Sequence, residues 1–208
     1  MKKVIISLVA AVIVMFSLTE KASGQFRYGP VIGADLTTLK FKQNLVSVNQ
    51  TEGFSAGIIG EMMFPGIGFG IDIGMYYQML GAWVNLGEKL MWQSQALGKE
   101  RFYIHTLQVP IHLRFKYTRF NGFEEKLAPF AFVGPSFDFT VAHSKIGNTF
   151  NFPGGNLCMD FGIGGEIFQR WQVSASYSLG LTYSVSAKIL TNYSARNRSW
   201  NFRVAYLF

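Results

Sequence analysis

The chain has 208 residues, a formal net charge of +7, 22 glycines and one cysteine; aromatic residues make up 16% of it and charged residues 15%. That charged share lies well below the ~25% of soluble globular proteins, while the length suits one domain. The positive excess comes without a lysine-arginine run, which argues against a nucleic-acid partner, and Cys158 has no partner for an intrachain disulfide.

Lys2 and Lys3 precede an apolar run from Val4 to Leu18, and Ala22-Ser23-Gly24 supplies a small-x-small site before Gln25. Residues 1–24 therefore read as a cleaved signal peptide and 25–208 as a single exported domain. An anchoring helix is the competing reading, but the run is about fifteen residues against the ~20 that a span needs. No cysteine closely follows the run, which argues against a lipid-anchored lipoprotein. The positive excess shrinks when Lys2, Lys3, Lys21 and Glu20 leave with the signal, and what remains reads as a weak attraction for anionic headgroups.

Eight segments of period-two alternation follow, with no competing helical period. The first, 26–41, sets Tyr28, Ile32, Ala34 and Leu36 against Arg27, Gly29, Gly33, Asp35 and Thr37. The second, 53–64, sets Phe54, Ala56, Ile58, Met62 and Phe64 against Ser55, Gly57 and Glu61. Pro65-Gly66 then marks a hairpin turn into the third, 67–82, where Ile67, Phe69, Ile71, Ile73, Met75, Tyr77 and Met79 oppose Gly68, Gly70, Asp72, Gly74, Tyr76 and Gln78. In the fourth, 101–118, Leu107, Val109, Ile111, Leu113, Phe115 and Tyr117 alternate with Thr106, Gln108, Pro110, His112, Arg114 and Lys116. Pro110 cannot donate to a ladder and implies a bulge or a locally missing bond. In the fifth, 128–142, Phe130 and Phe132 differ in parity from Phe137 and Phe139; a bulge at Gly134-Pro135 would bring all four rings to one face, and this is the expected arrangement. The sixth, 157–168, sets Phe161, Ile163 and Ile167 against Asp160, Gly162, Gly164 and Glu166. The seventh, 171–186, sets Trp171, Val173, Ala175, Tyr177, Leu179, Leu181, Tyr183 and Val185 against a row rich in serine. The eighth ends the chain: Trp200, Phe202, Val204, Tyr206 and Phe208 share one parity, and Asn201, Arg203 and Ala205 the other.

Connections are long after the first, third, fifth and seventh segments and short after the second, fourth and sixth. The pattern predicts an all-β fold, an eight-stranded antiparallel up-and-down transmembrane β-barrel in the outer membrane, with both termini at the periplasmic end. Energy decides the facing. Were the polar rows turned to hydrocarbon, Asp35, Glu61, Asp72, Arg114, Lys116, Asp160, Glu166 and Arg203 would all meet it, and even at about 1 kcal/mol each the total rivals the ~5–15 kcal/mol stability of a domain. The apolar rows are therefore expected on the lipid side. A soluble lipocalin-like carrier would turn the same rows inside out, crowding Phe, Trp, Tyr and Met into a barrel barely wide enough for its own side chains.

Tyr28-Gly29-Pro30-Val31-Ile32-Gly33-Ala34-Asp35-Leu36, Leu107-Gln108-Val109-Pro110-Ile111, Pro129-Phe130-Ala131-Phe132-Val133-Gly134-Pro135-Ser136-Phe137 and Ser176-Tyr177-Ser178-Leu179-Gly180-Leu181 resemble successive strands of the PorT-like outer-membrane β-barrel family. The match spans nearly the whole mature chain. It departs at Gln108, where the family usually carries an acid, and at His112, where aliphatics are commoner. The resemblance implies an integral outer-membrane barrel, and the family takes its name from a member associated with type nine secretion, so a secretion or envelope complex is the partner it suggests.

The eight inward charges named above read as a self-paired lumen plug, with a narrow passive channel for small solutes or ions as the alternative. His105 and His112 have opposite parity, which argues against a metal site shared with His143. His143-Ser144, Glu88 and Glu100 assemble no nucleophile, base and orienter, so neither an enzyme nor a cofactor is expected. Asn49, Asn192 and Asn197 match the glycosylation pattern by chance in a bacterial-type barrel. Trp83, Trp92, Tyr103, Trp171, Tyr183 and Trp200 fall near segment ends, where an aromatic girdle sits between lipid and water. Phe208, in register with Tyr206 and Phe202, resembles the signal read by the outer-membrane insertion machinery. Deleting Phe208 is expected to lower insertion into the membrane more than it lowers the urea resistance of barrels already inserted; equal losses in both assays would remove the recognition role.

Overall fold

The computed structural model describes residues 25–41, 47–64, 68–85, 99–117, 126–143, 150–151, 154–183, 185–187 and 194–208. In chain order its strands are β1 (Gln25–Phe41), β2 (Ser47–Asn49), β3 (Thr51–Met63), β4 (Phe69–Asn85), β5 (Lys99–Lys116), β6 (Leu127–His143), β7 (Phe150–Asn151), β8 (Gly155–Ile167), β9 (Trp171–Gly180), β10 (Val185–Ala187) and β11 (Ser194–Tyr206). The eight long strands pair antiparallel in the order β1-β3-β4-β5-β6-β8-β9-β11, and β11 pairs back onto β1 from Val31↔Ala205 to Phe41↔Ala195. The sheet is closed. Short β2, β7 and β10 extend it at the end carrying the long connections, called here the loop end. The opposite, turn end carries the short connections and the last residues, where Leu207 N–H donates to Arg170 O at 2.7 Å and Phe208 N–H to Tyr28 O at 2.9 Å.

Facing follows alternation. Ile163 is 69% exposed and Ile32 66%, whereas Glu61 on the other parity is 0% exposed. Apolar side chains thus cover the outside while charged and amide groups fill the lumen, the reverse of a soluble carrier. One stretch of the inner wall is nevertheless apolar: Val31, Ile59, Ala205 and Leu207 gather around Tyr76. On the outside, Trp171 meets Tyr206 edge-on at 5.0 Å, and Tyr206 meets Phe208 at 5.2 Å, at the turn end. Tyr177 and Trp200 lie 4.8 Å apart nearer the loop end. These rings border an apolar band as a girdle does. Trp92 and the side chain of Trp83 lie outside the described residues, as do residues 1–24, Glu88, Ser144 and Asn192.

The bulge expected at Gly134-Pro135 is absent. β6 pairs with β8 in unbroken register from Leu127↔Ile167 to Phe139↔Gly155, so Phe130 and Phe132 point into the lumen while Phe137 and Phe139 point out. The reason sits on the neighbouring strand: Phe130 pairs with Gly164 and Phe132 with Gly162, and a Cβ at either glycine would lie 2.4 Å and 2.2 Å from the respective ring. Each ring occupies the space that its glycine leaves. The bulge of β6 lies instead at Val141, between Thr106↔Thr140 and His105↔Ala142. Pro110 causes no shift; the rungs Ile73↔Ile111 and Tyr76↔Gln108 keep one offset around it. β9 ends at Gly180, earlier than the seventh segment suggested, because Leu181 and Thr182 N–H both donate to Leu157 O and Thr182 Oγ1 accepts from Leu157 N–H at 2.8 Å, turning the chain off the ladder.

The β8–β9 turn places Phe168 at φ 51° and Gln169 at φ 59°, a left-handed pair that favours glycine or asparagine. Replacing Gly162 by Val is expected to cost about 1–3 kcal/mol through overpacking against Phe132. Phe132→Leu in the same chain should recover part of the loss, as read from urea unfolding of the folded barrel in detergent.

Candidate functional site

The lumen at the turn end is crossed by one neutral ion cluster. Glu61 on β3 is its centre: its carboxylate accepts from Arg27 Nη2 of β1 at 2.7 Å, Arg114 Nη1 of β5 at 2.7 Å and Lys116 Nζ at 2.8 Å, and from Gln172 Nε2 of β9. Glu166 on β8 accepts from Arg27 Nη1 and Nη2 at 3.2 and 2.6 Å, Lys116 Nζ at 2.7 Å and Gln172 Nε2 at 3.0 Å. Asp72 on β4 completes the set, accepting from Arg114 Nε at 2.6 Å. Arg114 also lies over the Phe130 ring of β6, 4.0 Å from its centroid. Three cations thus face three carboxylates, with contacts running from wall to wall.

Physical cost explains the density of these contacts. Taking an ion out of water costs several kcal/mol, which mutual attraction repays only when the remaining lone pairs and protons are also satisfied. Four donors on Glu61 and four bonds on Glu166 meet that condition for the two glutamates, whereas Asp72 Oδ1 and Arg27 Nε have no hydrogen-bond partner. Arg27 further donates to Gln169 O at 2.6 Å, tying the cluster to the left-handed turn.

Farther toward the loop end the pairing thins. Arg203 donates through Nη2 to Gln108 Oε1 at 2.7 Å and lies 4.3 Å from the centroid of the Tyr76 ring. His112 Nε2 is 3.2 Å from Asp160 Oδ2, its ring stacked on Phe132 at 4.9 Å. Cys158 donates from Sγ to Asp138 Oδ2 at 3.2 Å, and Asn201 bridges Gln78 and Ser178. Asp35 stands apart. Its carboxylate has Ser55 and Gln78 beside it, but neither reaches hydrogen-bonding geometry, and one oxygen each of Asp138 and Asp160 is unbonded too.

All eight residues expected in the lumen are buried there, but as two groups: Glu61, Asp72, Arg114, Lys116 and Glu166 in the cluster, and Asp35, Asp160 and Arg203 beyond it. Arg27 and Gln172 are cluster members that alternation put on the inner face without assigning them a partner. Asp138, between the outward Phe137 and Phe139, is a further lumen carboxylate whose inward parity holds with or without a bulge at Gly134-Pro135. His105 faces outward, where its Nδ1 lies 2.7 Å from Tyr77 Oη, and His112 faces inward. Among the described residues, no three His, Cys, Asp or Glu side chains are grouped to hold a metal. Asn197 is buried in the lumen wall. Phe202 and Phe208 face outward, and the Tyr206 hydroxyl accepts from Arg170 Nη1 at 3.2 Å.

A closed barrel with a polar, ion-paired lumen and an apolar, aromatic-bordered exterior defines an integral outer-membrane β-barrel protein. The chain belongs to the family described as outer membrane protein beta-barrel domain, whose model matches residues 17–186. Among solved structures it is similar to the outer membrane protein OprG from Pseudomonas aeruginosa, with 12% identity over 90% of this chain and 97% of that one and a TM-score of 0.53. It is also similar to Ail of Yersinia pestis (11% identity, 88% and 99% coverage, TM-score 0.44) and to E. coli outer membrane protein W (11%, 90% and 100%, 0.40). At such identities the likeness is one of fold. No curated protein matches the chain.

Glu61→Gln is expected to destabilise the barrel by about 3–5 kcal/mol, because buried Arg114 and Lys116 and half-buried Arg27 lose their common partner. Removing a cation along with it, as Glu61→Gln with Lys116→Met, should cost less than Glu61→Gln alone, and unfolding in urea with tryptophan fluorescence compares the two.

Proposed function

We propose that this protein is a sealed outer-membrane barrel that works through its surfaces, as a structural or interaction partner in the envelope, and does not pass solutes through its lumen. The observation carrying this reading is the ion cluster, in which side chains from β1, β3, β4, β5, β8 and β9 bond one another across an interior too narrow to leave room beside them. The resemblance to PorT-like proteins supplies the kind of partner, a secretion or envelope complex. The short turns and the chain end share one end of the barrel, which supports placing both termini in the periplasm and the long loops outside. Export through the signal peptide and insertion through Phe202, Tyr206 and Phe208 complete the route.

A second reading draws on the loop-end half of the lumen. Asp35, Asp138 and Asp160 each keep at least one unbonded carboxylate oxygen, an acceptor-rich chamber that suits small cations. On that reading the cluster is a constriction and the protein a narrow cation channel. Planar-bilayer recording separates the two. The sealed barrel gives no discrete current steps at any applied voltage, and reproducible unitary currents from the purified wild-type protein would replace the first reading with the second. Reciprocal affinity purification from native envelopes after mild crosslinking is the companion measurement for a partner.

A further inference from the structure

On the outer face of β1 and β11 the apolar band stops abruptly beyond Trp200. Register pairs Thr38 with Arg198 and Lys40 with Arg196, and alternation puts Lys40, Arg196 and Arg198 on the same outward face as Leu36 and Trp200. Lys40 and Arg196 are exposed and Arg198 is half-buried. Arg196 is held against the wall by the Tyr183 ring, 5.2 Å from its guanidinium carbon. Among the described residues none of the three cations pairs with a carboxylate. Glu52, the acid of neighbouring β3 on this face, pairs with Leu36, four residues down β1 from Lys40. Three uncompensated cations therefore share two ladder steps at the rim of the lipid-facing surface.

The same strands carry a hollow lower down. An open apolar groove of about 590 Å³ runs between Ile32, Ala34, Ile163, Ala175, Phe202 and Val204. It exists because the register row Ile163–Ala175–Phe202–Ala34 alternates large with small side chains, so the wall recedes at both alanines. The groove lies between the Tyr177–Trp200 pair and the Trp171–Tyr206 pair, inside the apolar band. Six residues separate Ala34 from Lys40, ~20 Å along a strand. With the usual tilt of ~35–45° this is about 15 Å of height, half of a ~30 Å hydrocarbon core. A chain anchored by its headgroup at Lys40 ends in the groove.

We propose that this strip is a binding site for a phosphate-bearing anionic lipid of the membrane leaflet at the loop end. Lys40, Arg196 and Arg198 hold the phosphate, and the groove takes one acyl chain. Arginine forks match phosphate oxygens in pairs, and lysine adds a mobile point charge. The groove excludes a free anion as the natural occupant, since a soluble phosphate gains nothing from apolar walls. The site is independent of whether the lumen is sealed; the orientation proposed above decides only which leaflet supplies the lipid.

The test uses the full chain purified from outer membranes and reconstituted into nanodiscs of phosphatidylcholine doped with lipid A or, separately, with phosphatidylglycerol. Lipid retained after stepwise delipidation is counted by native mass spectrometry. Wild-type protein should retain the phosphorylated anionic lipid over phosphatidylcholine, and Lys40→Gln/Arg196→Gln/Arg198→Gln should lower that retention at least about tenfold. Ala175→Trp, which fills the groove and keeps the charges, should lower retention of the diacyl or polyacyl lipid as well. Gel mobility before and after boiling reports that each variant is a closed barrel, and Arg198→Gln alone serves if the triple variant does not fold. Unchanged retention in the folded charge variant overturns the proposal, as does displacement of the lipid by an equal concentration of inorganic phosphate. Current recordings are a separate readout, so failure here leaves the sealed-lumen reading standing.

Discussion

Closure of the ladder between β1 and β11 is the constraint from which the rest of this molecule follows. A backbone N–H or C=O without a partner costs several kcal/mol in hydrocarbon, and a sheet avoids that only by having no edge. Eleven paired positions, from Val31↔Ala205 to Phe41↔Ala195, provide the seam, and the last two residues extend it through Arg170 and Tyr28. Once the sheet is closed on eight long strands its interior is small, and whatever points inward must fill it. Glycine on β8 beside phenylalanine on β6, and arginine beside carboxylate, are two solutions to the same shortage of space.

Alternation made the fold legible because a membrane barrel writes its facing directly into parity. The strands, their order of long and short connections, and the inward placement of residues such as Asp72 and Arg203 needed nothing beyond that period of two. What parity could not supply was any fact about a neighbouring strand. The bulge assigned to Gly134-Pro135 rested on the premise that bulky rings belong in lipid. Phe130 and Phe132 violate it because Gly164 and Gly162 make room for them inside, thirty or more residues away in sequence. Partnership in the ion cluster was equally hidden. Arg27 and Glu166 meet across 139 residues, and only the closed sheet brings β1 within reach of β8. The groove on the outer wall is a third case, since Ala34 and Ala175 read as ordinary small residues until the register sets them on either side of Phe202.

The cluster also bears on the strained turn beside it. Phe168 and Gln169 both take left-handed backbone, at roughly 1–2 kcal/mol each for residues with a Cβ. The link spans three residues, Phe168 to Arg170, and the left-handed pair forms the centre of a tight turn in which Arg170 N–H donates to Ile167 O at 3.3 Å. The Gln169 carbonyl that this geometry turns inward receives Arg27 Nη1, so the guanidinium that joins Glu61 to Glu166 also fixes the turn. Folding of the β8–β9 hairpin and assembly of the cluster are in this way coupled through one side chain.

A lumen filled with hydrocarbon side chains would avoid the cost of burying six ions, and buried ion pairs are often no more stabilising than well-packed apolar groups. Such a lumen would, however, be as greasy as the outer wall, and nothing would then tell one face of a strand from the other. In a sheet a slip of one residue exchanges the two faces completely. With Glu61, Asp72, Arg114, Lys116 and Glu166 spread over four strands, a slip in any of those strands turns at least one charge into lipid and removes it from its partners. Each misaligned strand is then penalised twice, by a charge in hydrocarbon and by an unpaired ion in the lumen. The cluster therefore contributes less through net stability than through the gap it opens between the native register and its neighbours.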